Sequence, residues 1–335
     1  MRLGLIGAGA VGVLHARAAQ EVEGVSVVAV CARERAEAAE LAGPLGAGVH
    51  TDYRELLAVA GVDAVVVSTP HALHTQMVLD AAAAGVHVLV EKPMATTEQD
   101  CDAMVTACSE AGVRLAVGHI QHFLPDKVAA AAAIAAGEIG DVLLVHDYRS
   151  TDYRAGSRPG WFFDPAVAGG GAVMNIGGHC IDRMSWLAGS LPDEVRAHTW
   201  SRFGVGVETD AVATLTMANG VVASLTITST TPRHLDEIVV VGEHGTVVAD
   251  PRVGTVLRRD GDVRVLHEPS SDDIPVAFRH QLEAFVRHVD DGATFPVSLE
   301  LGRSVVATVR AIYRSASAGH QVRVESPEMD PVPAA

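Results

Sequence analysis

The chain has 335 residues, 48% of them apolar, and a formal net charge of −16. That length is too great for one small core and predicts two domains, and the composition excludes a disordered chain. The acidic balance argues against nucleic acid and anionic membrane surfaces as partners, because both would repel it.

The opening MRLGLIGAGAVGVLHARA has the basic start and apolar run of a secretory leader. Its glycines Gly7, Gly9 and Gly12 fit a different pattern, and the stretch is read as folded. RLGLIG, VSVVAVCA, VDAVVVSTP, HVLVEKP and RLAVGH are short runs apolar on both faces, as in strands covered by helices on both sides. Helical patterns separate them: Val11 to Ala19, ERAEAAELAGPL, HTQMVLDAAAAG closed by Gly85, and TTEQDCDAMVTACSEAG closed by Gly112. This alternation predicts an α/β class with an N-terminal doubly wound parallel sheet over residues 1–123.

Beyond Phe123 the rhythm changes. One helical segment, DKVAAAAAIAAGEIG, leads into longer alternating runs: DVLLVHDYRS, VRAHTWSRF, DAVATLTMANGVVASLTITSTT and DEIVVVGEHGTVVAD. The Asn-Gly pair in MANGVV is a hairpin signal. Helices return at VAFRHQLEAFVRHVDDG and SLELGRSVVATVRAIYRSASAG. Residues 124–325 are therefore read as a second α/β domain with a large, mostly antiparallel open sheet, and the proline-rich 326–335 as a disordered tail. The four cysteines, Cys31, Cys101, Cys108 and Cys180, make no C-x-x-C pair and are read as reduced thiols of a cytoplasmic protein.

Gly7-x-Gly9-x-x-Gly12 follows a strand and opens a helix, the context a dinucleotide-binding turn requires. Gly7 makes the turn, Gly9 admits the pyrophosphate, and Gly12 lets helix and strand pack. With Ala10 and Val11 they form a helix start suited to a phosphate charge. An acid about 20 residues further on would bond the ribose of NAD. That position is Ala32, followed by Arg33, and a guanidinium suits the extra phosphate of NADP. The expectation is NADP, with NAD possible because Glu34 can serve the ribose.

Glu91-Lys92-Pro93 ends the fourth apolar run, where ligands of such sheets bind. GGGAVMNIGGHCID, from Gly169 to Asp182, holds Asn175, His179 and Asp182. On an α-helix Asn175 and His179 are i and i+4 and share a face. Asp182, three further on, is placed to orient the imidazole or a nearby basic group, or to pair with Arg183 or another base as a surface acid. His71-x-x-His74 and His119-x-x-His122 lack the thiols or carboxylates of a zinc site, so no metal is expected.

GLIGAGAVG, VDAVVVSTPHALH, AAAAGVHVLVEKPMATT, VGHIQHFLP, GEIGDVLLV and GGGAVMNIGGHCIDRMSWLAG together resemble the glucose–fructose oxidoreductase, inositol dehydrogenase and MocA family, over nearly the whole chain. The resemblance implies a Rossmann domain and a second α/β domain whose open sheet packs on a partner subunit, giving a homodimer or homotetramer. It implies NAD(P)-dependent oxidation or reduction of a sugar, cyclitol or nucleotide sugar. Lys92 matches the family's EKP lysine and His179 its catalytic histidine. Thr69 and Pro70 match the loop beside the nicotinamide, with Glu91, His71 and His74 counted among the cofactor positions. Asn175 stands where many members have aspartate, His71 where asparagine often follows, and His122 where arginine usually sits. His179, titrating near the working pH, is expected to take the hydroxyl proton while Lys92 stabilises the developing alkoxide. Asn175, Arg158 and Trp161 are expected to contact substrate. Alternatives on this scaffold are a reductase of a dihydrodiol or imine, and a non-catalytic dinucleotide sensor.

Overall fold

The computed structural model describes residues 1–58, 61–229 and 235–325; the predicted tail and the end of the TITSTT run lie outside them. Six parallel strands open the chain: β1 (Arg2–Ile6), β2 (Ser26–Cys31), β3 (Gly48–His50), β4 (Ala64–Val67), β5 (His87–Glu91) and β6 (Leu115–Gly118). Between them run α1 (Ala10–Glu21), α2 (Arg35–Ala42), α3 (Tyr53–Leu57), α4 (His74–Ala83) and α5 (Glu98–Glu110). The strand order β3-β2-β1-β4-β5-β6 puts the reversal between β1 and β4, where a dinucleotide crosses such a sheet. β4, all valine after Ala64, is buried along its whole length, as a β-branched strand covered on both faces must be. Thr97 caps α5 by accepting from Asp100 N at 3.2 Å.

The second half contributes α6 (Pro125–Ala135), β7 (Val142–Thr151), α7 (Pro165–Ala168), α8 (Gly178–Ala188), β8 (Pro192–Trp200), β9 (Asp210–Met217) and β10 (Val222–Ser229). Then come β11 (Asp236–Gly242), β12 (Thr246–Asp250), β13 (Gly254–Arg259), β14 (Asp262–His267), α9 (Asp273–Asp290), α10 (Leu299–Ala318) and β15 (Val322–Arg323). Nine strands form one sheet, β14-β13-β12-β11-β7-β10-β9-β8-β15, antiparallel except where β7 runs beside β10. The Asn219–Gly220 turn joins β9 to β10 as predicted, with Gly220 at φ 88°.

Three differences from the sequence reading stand out. β3 and α3 are short and carry no apolar run to announce them. β13 and β14 lie outside the predicted strands, joined at Asp260–Gly261, both with positive φ (55° and 87°). The last two long helices turn back onto the first half. α9 packs on α1, with Phe278 edge-on to His15 at 5.0 Å. α10 lies between β8 and α5, and its Val306 is buried in the core of the parallel sheet.

Candidate active site at the ends of the parallel strands

The first turn is closed by glycines for steric reasons. Gly7 has φ +117°, and a Cβ there would stand 2.5 Å from the Ser68 carbonyl oxygen. A Cβ on Gly12 would meet the Gly7 carbonyl oxygen at 2.2 Å, so α1 sits this close only because the residue is glycine. Gly9 caps α1, and the space beside it is open. No acid lies in the first turn, and no side chain caps the free N–H groups that Ala10 and Val11 begin. An open cradle of uncapped amides at the start of a helix fits a dinucleotide pyrophosphate. At the end of β2, Ala32 is buried and Arg33 is 90% exposed, loosely paired with Glu34 at 3.5 Å.

Lys92 follows β5 directly. Its Nζ donates to both oxygens of Asn175, the backbone O at 3.1 Å and Oδ1 at 3.0 Å. Burial lowers the ammonium pKa, Glu91 opposes this, and the charges of Arg149 and Arg158 lower it further, to about 8. Asn175 lies in a π turn, Val173–Gly177, and α8 proper begins only at Gly178. The expected single α-helical face through Asn175 and His179 is therefore replaced by a wider turn leading into a helix, a device common at functional sites.

His179 is half-buried, and its Nδ1 is enclosed without a partner. Burial, then the charges of Lys92, Arg149, His119 and Arg183, push its pKa well below the ordinary histidine value. That direction favours the neutral imidazole, the form able to accept a proton. Lys92 is the group with a pKa near neutrality.

The glycine run is explained by what it packs against. Added Cβ atoms would meet Thr96 Cγ2 at 2.7 Å from Gly169, Tyr313 Oη at 2.0 Å from Gly170, and the Glu208 carbonyl oxygen at 2.1 Å from Gly171. The Glu208 carboxylate accepts from the amides of Gly171 and Val173 at 2.9 Å and from Tyr313 Oη at 2.8 Å. It thus pins the start of the turn that carries Asn175. No motif in the sequence announces Glu208 or Tyr313; they arrive from a loop and from α10, far along the chain.

Residues 1–119 match the model of an oxidoreductase family with an NAD-binding Rossmann fold, and residues 128–248 match the GFO/IDH/MocA C-terminal domain. The chain belongs to the GFO/IDH/MocA oxidoreductase family. It is 31% identical over 335 residues to a D-xylose 1-dehydrogenase (NADP(+)) of Haloferax volcanii, covering 97% of this chain and 100% of that one. It is also 31% identical to inositol 2-dehydrogenase 1 of Saccharopolyspora erythraea, covering 97% and 96%. Among solved structures, that of GenD2 from gentamicin A biosynthesis in complex with NAD superposes with a TM-score of 0.88 at 27% identity, covering 97% of each chain. The family assignment makes this chain an NAD(P)-dependent oxidoreductase acting on CH–OH groups.

Within this GFO/IDH/MocA member, several expected cofactor residues support the site from beneath. His74 is fully buried, its Nδ1 2.9 Å from the Pro93 carbonyl oxygen and its Nε2 3.0 Å from that of Thr69. It ties the Thr69–Pro70 loop to the end of the EKP segment, with no free ring nitrogen to offer a cofactor. His71 likewise turns inward, Nδ1 to the Ala168 carbonyl oxygen at 2.8 Å, with Trp161 edge-on at 4.9 Å. Glu91 faces back to His15 on α1 at 2.9 Å and accepts from Lys92 N. Thr69 donates from Oγ1 to Met77 Sδ.

Asp182 serves nearby basic groups other than His179. It is fully buried, 3.0 Å from His122 Nε2 and 3.5 Å from His119 Nδ1, and pairs neither with His179 nor with Arg183. Burial alone would raise its pKa, but the two histidines hold the carboxyl down to about 2. His122, where arginine was expected, instead stacks on Trp186 at 4.2 Å. Arg183 forms a bidentate pair with Asp147 at 2.5 and 2.8 Å and reaches Asp236 at 2.6 Å. Among the described residues no group of three or more His, Cys, Asp or Glu side chains is arranged to hold a metal ion, and no helix is long and apolar enough to cross a membrane.

Proposed function

We propose that the protein transfers hydride between NADP and a hydroxyl or keto carbon of a sugar, cyclitol or nucleotide sugar, with Lys92 and His179 handling the proton. The observation that carries this reading is the Lys92 amine held by both oxygens of Asn175 at the end of β5. Bound nicotinamide supplies the hydride acceptor or donor. Above about pH 8 the amine is neutral, and its two N–H bonds are already directed at Asn175. Its lone pair is then left to face the cleft and accept the hydroxyl proton as the carbon becomes a carbonyl. In reduction the ammonium returns that proton. The neutral His179 imidazole hydrogen-bonds the same hydroxyl and fixes its direction. Asn175 brings no charge, so Lys92 keeps its lowered pKa, whereas an aspartate there would raise it.

NADP is preferred in this reading because the end of β2 presents Ala32 and an exposed Arg33 where an NAD site has an acid. Leu144, Val212, Val222 and Trp200, exposed on the nine-stranded sheet, support assembly into a homodimer or homotetramer through that face. Free, buried cysteines support a cytoplasmic setting. The test is a screen of aldoses, cyclitols and nucleotide sugars with NADP and NAD, followed by nicotinamide absorbance. Turnover of one of these classes is expected; turnover of none, with dihydrodiols or imines active instead, would overturn the substrate reading.

A further inference from the structure

Resting on that reading of the site, the charges around Lys92 point to the kind of sugar it takes. Arg158 lies in the loop after β7. It donates from Nε to the Asp152 backbone carbonyl at 2.9 Å and from Nη2 to Thr151 Oγ1, both neutral acceptors. Its guanidinium lies over the ring of Tyr153, 4.6 Å from the centroid, and 5.5 Å from that of Phe162. The nearby Asp152 carboxylate is taken by Arg154 at 2.6 Å. Among the described residues, no carboxylate forms an ion pair with Arg158. Tyr153 Oη donates to Gly171 O at 3.1 Å, at the start of the turn that carries Asn175. The half-buried cation therefore stands across one aromatic ring from the segment that holds Lys92.

A second guanidinium lies behind it. Arg149 is two residues before Thr151 on β7 and so shares its face of the strand, the face on which Asp147 meets Arg183 of α8. Among the described residues its one anionic partner, Asp236 at 3.4 Å, is shared with Arg183, and its Nη1 is buried without a hydrogen-bond partner. Arg149 and Arg158 both act on Lys92, and Arg149 also on His179. Three cations, Lys92, Arg149 and Arg158, thus act at the reacting position, while Glu91 is engaged by His15 and Asp236 is shared between two arginines.

We propose that the substrate carries an anionic group, a carboxylate or a phosphate, received by Arg158 with Arg149 behind it. A neutral polyol gains nothing from two guanidinium groups that amides or hydroxyls could not supply, and their charges oppose protonation of Lys92. An anion between them and Lys92 satisfies both guanidinium groups through charge-assisted hydrogen bonds. The cofactor's phosphates do not fill this role. The pyrophosphate cradle is at the start of α1, and Arg33 is at the end of β2, separated from β5 by β1 and β4.

The experiment is calorimetric binding to the protein saturated with NADP+. One arm compares D-glucuronate and D-galacturonate with their methyl esters; the other compares hexose 6-phosphates with the parent hexoses. The expected result is a preference of at least about tenfold for the anion in one arm, which then identifies carboxylate or phosphate. Arg158→Gln should collapse that preference and Arg158→Lys should restore part of it. Neutral ligands binding as well as the anions in both arms would overturn the proposal. Turnover of neutral hexoses or cyclitols in that case would leave the dehydrogenase reading standing. Anion preference without any hydride transfer would instead sink the dehydrogenase reading and keep the charge assignment.

Discussion

Lys92 and Asn175 are joined twice, the amine of one donating to both the backbone and side-chain oxygens of the other at 3.1 and 3.0 Å. One residue ends a strand of the parallel sheet, and the other lies in a π turn of the second half of the chain. The contact joins the parallel-sheet half of the chain to the half that carries the nine-stranded sheet, at the position proposed for proton transfer.

Lys92→Ala removes the proposed proton acceptor without touching the glycine turn. Turnover should fall by about 10²- to 10⁴-fold with nearly unchanged NADPH affinity, measured by steady-state kinetics and fluorescence titration. Wild-type-like turnover would remove Lys92 from the reaction.

Arg33→Ala should weaken NADPH by about tenfold or more while leaving NADH nearly unchanged, since only the extra phosphate meets the guanidinium. Titration of both reduced cofactors decides it. Equal losses for the two would assign Arg33 to the surface and return the ribose to Glu34.

Gly170→Ala places a Cβ 2.0 Å from Tyr313 Oη, at φ +158°. The displaced tyrosine would loosen Glu208 and the turn above it. A loss of about 1–3 kcal/mol in denaturant melts is expected, with part regained when Tyr313→Ala is added. No loss in the single variant would show that the close approach is dispensable.

Acid stability should depend on Asp182. Its carboxyl titrates at about 2 in the folded chain, below its unfolded value near 3.8, so its contribution is present above that value and lost as pH falls through 2. Asp182→Asn leaves two buried histidines without their carboxylate and should cost about 3 kcal/mol near pH 6. The difference from wild type should shrink in melts taken from pH 5 down to 2. A difference independent of pH would mean that packing alone is involved.

Much of this was legible in the sequence because strand and helix periodicities are local. Gly7, Gly9 and Gly12 stated the first turn, and EKP with the glycine run brought Lys92, Asn175 and His179 to one region. What could not be read was long-range. His74 reads from the sequence as packing beside the cofactor loop, but its two carbonyl partners, on Thr69 and Pro93, are supplied by the fold. Asp182 has Arg183 as its chain neighbour, but α8 points the two side chains to different partners, His119 and His122 on one side and Asp147 on the other. The reason for each glycine in the run was hidden as well: Thr96, Tyr313 and Glu208, distant in sequence, exclude a Cβ at Gly169, Gly170 and Gly171 in turn. The surroundings of His179 were equally hidden: the burial and the cations that lower its pKa appear only once the chain is folded.

The central claim is that Lys92, tuned by a neutral Asn175, takes the proton. Its most direct test is the pH dependence of kcat/KM for oxidation in the wild type and in Asn175→Asp. The account predicts a rise with pH through about 8 in the wild type, and a limb moved upward by roughly 1–3 units when aspartate stabilises the ammonium. A limb near the ordinary histidine value, unmoved by Asn175→Asp, would contradict it.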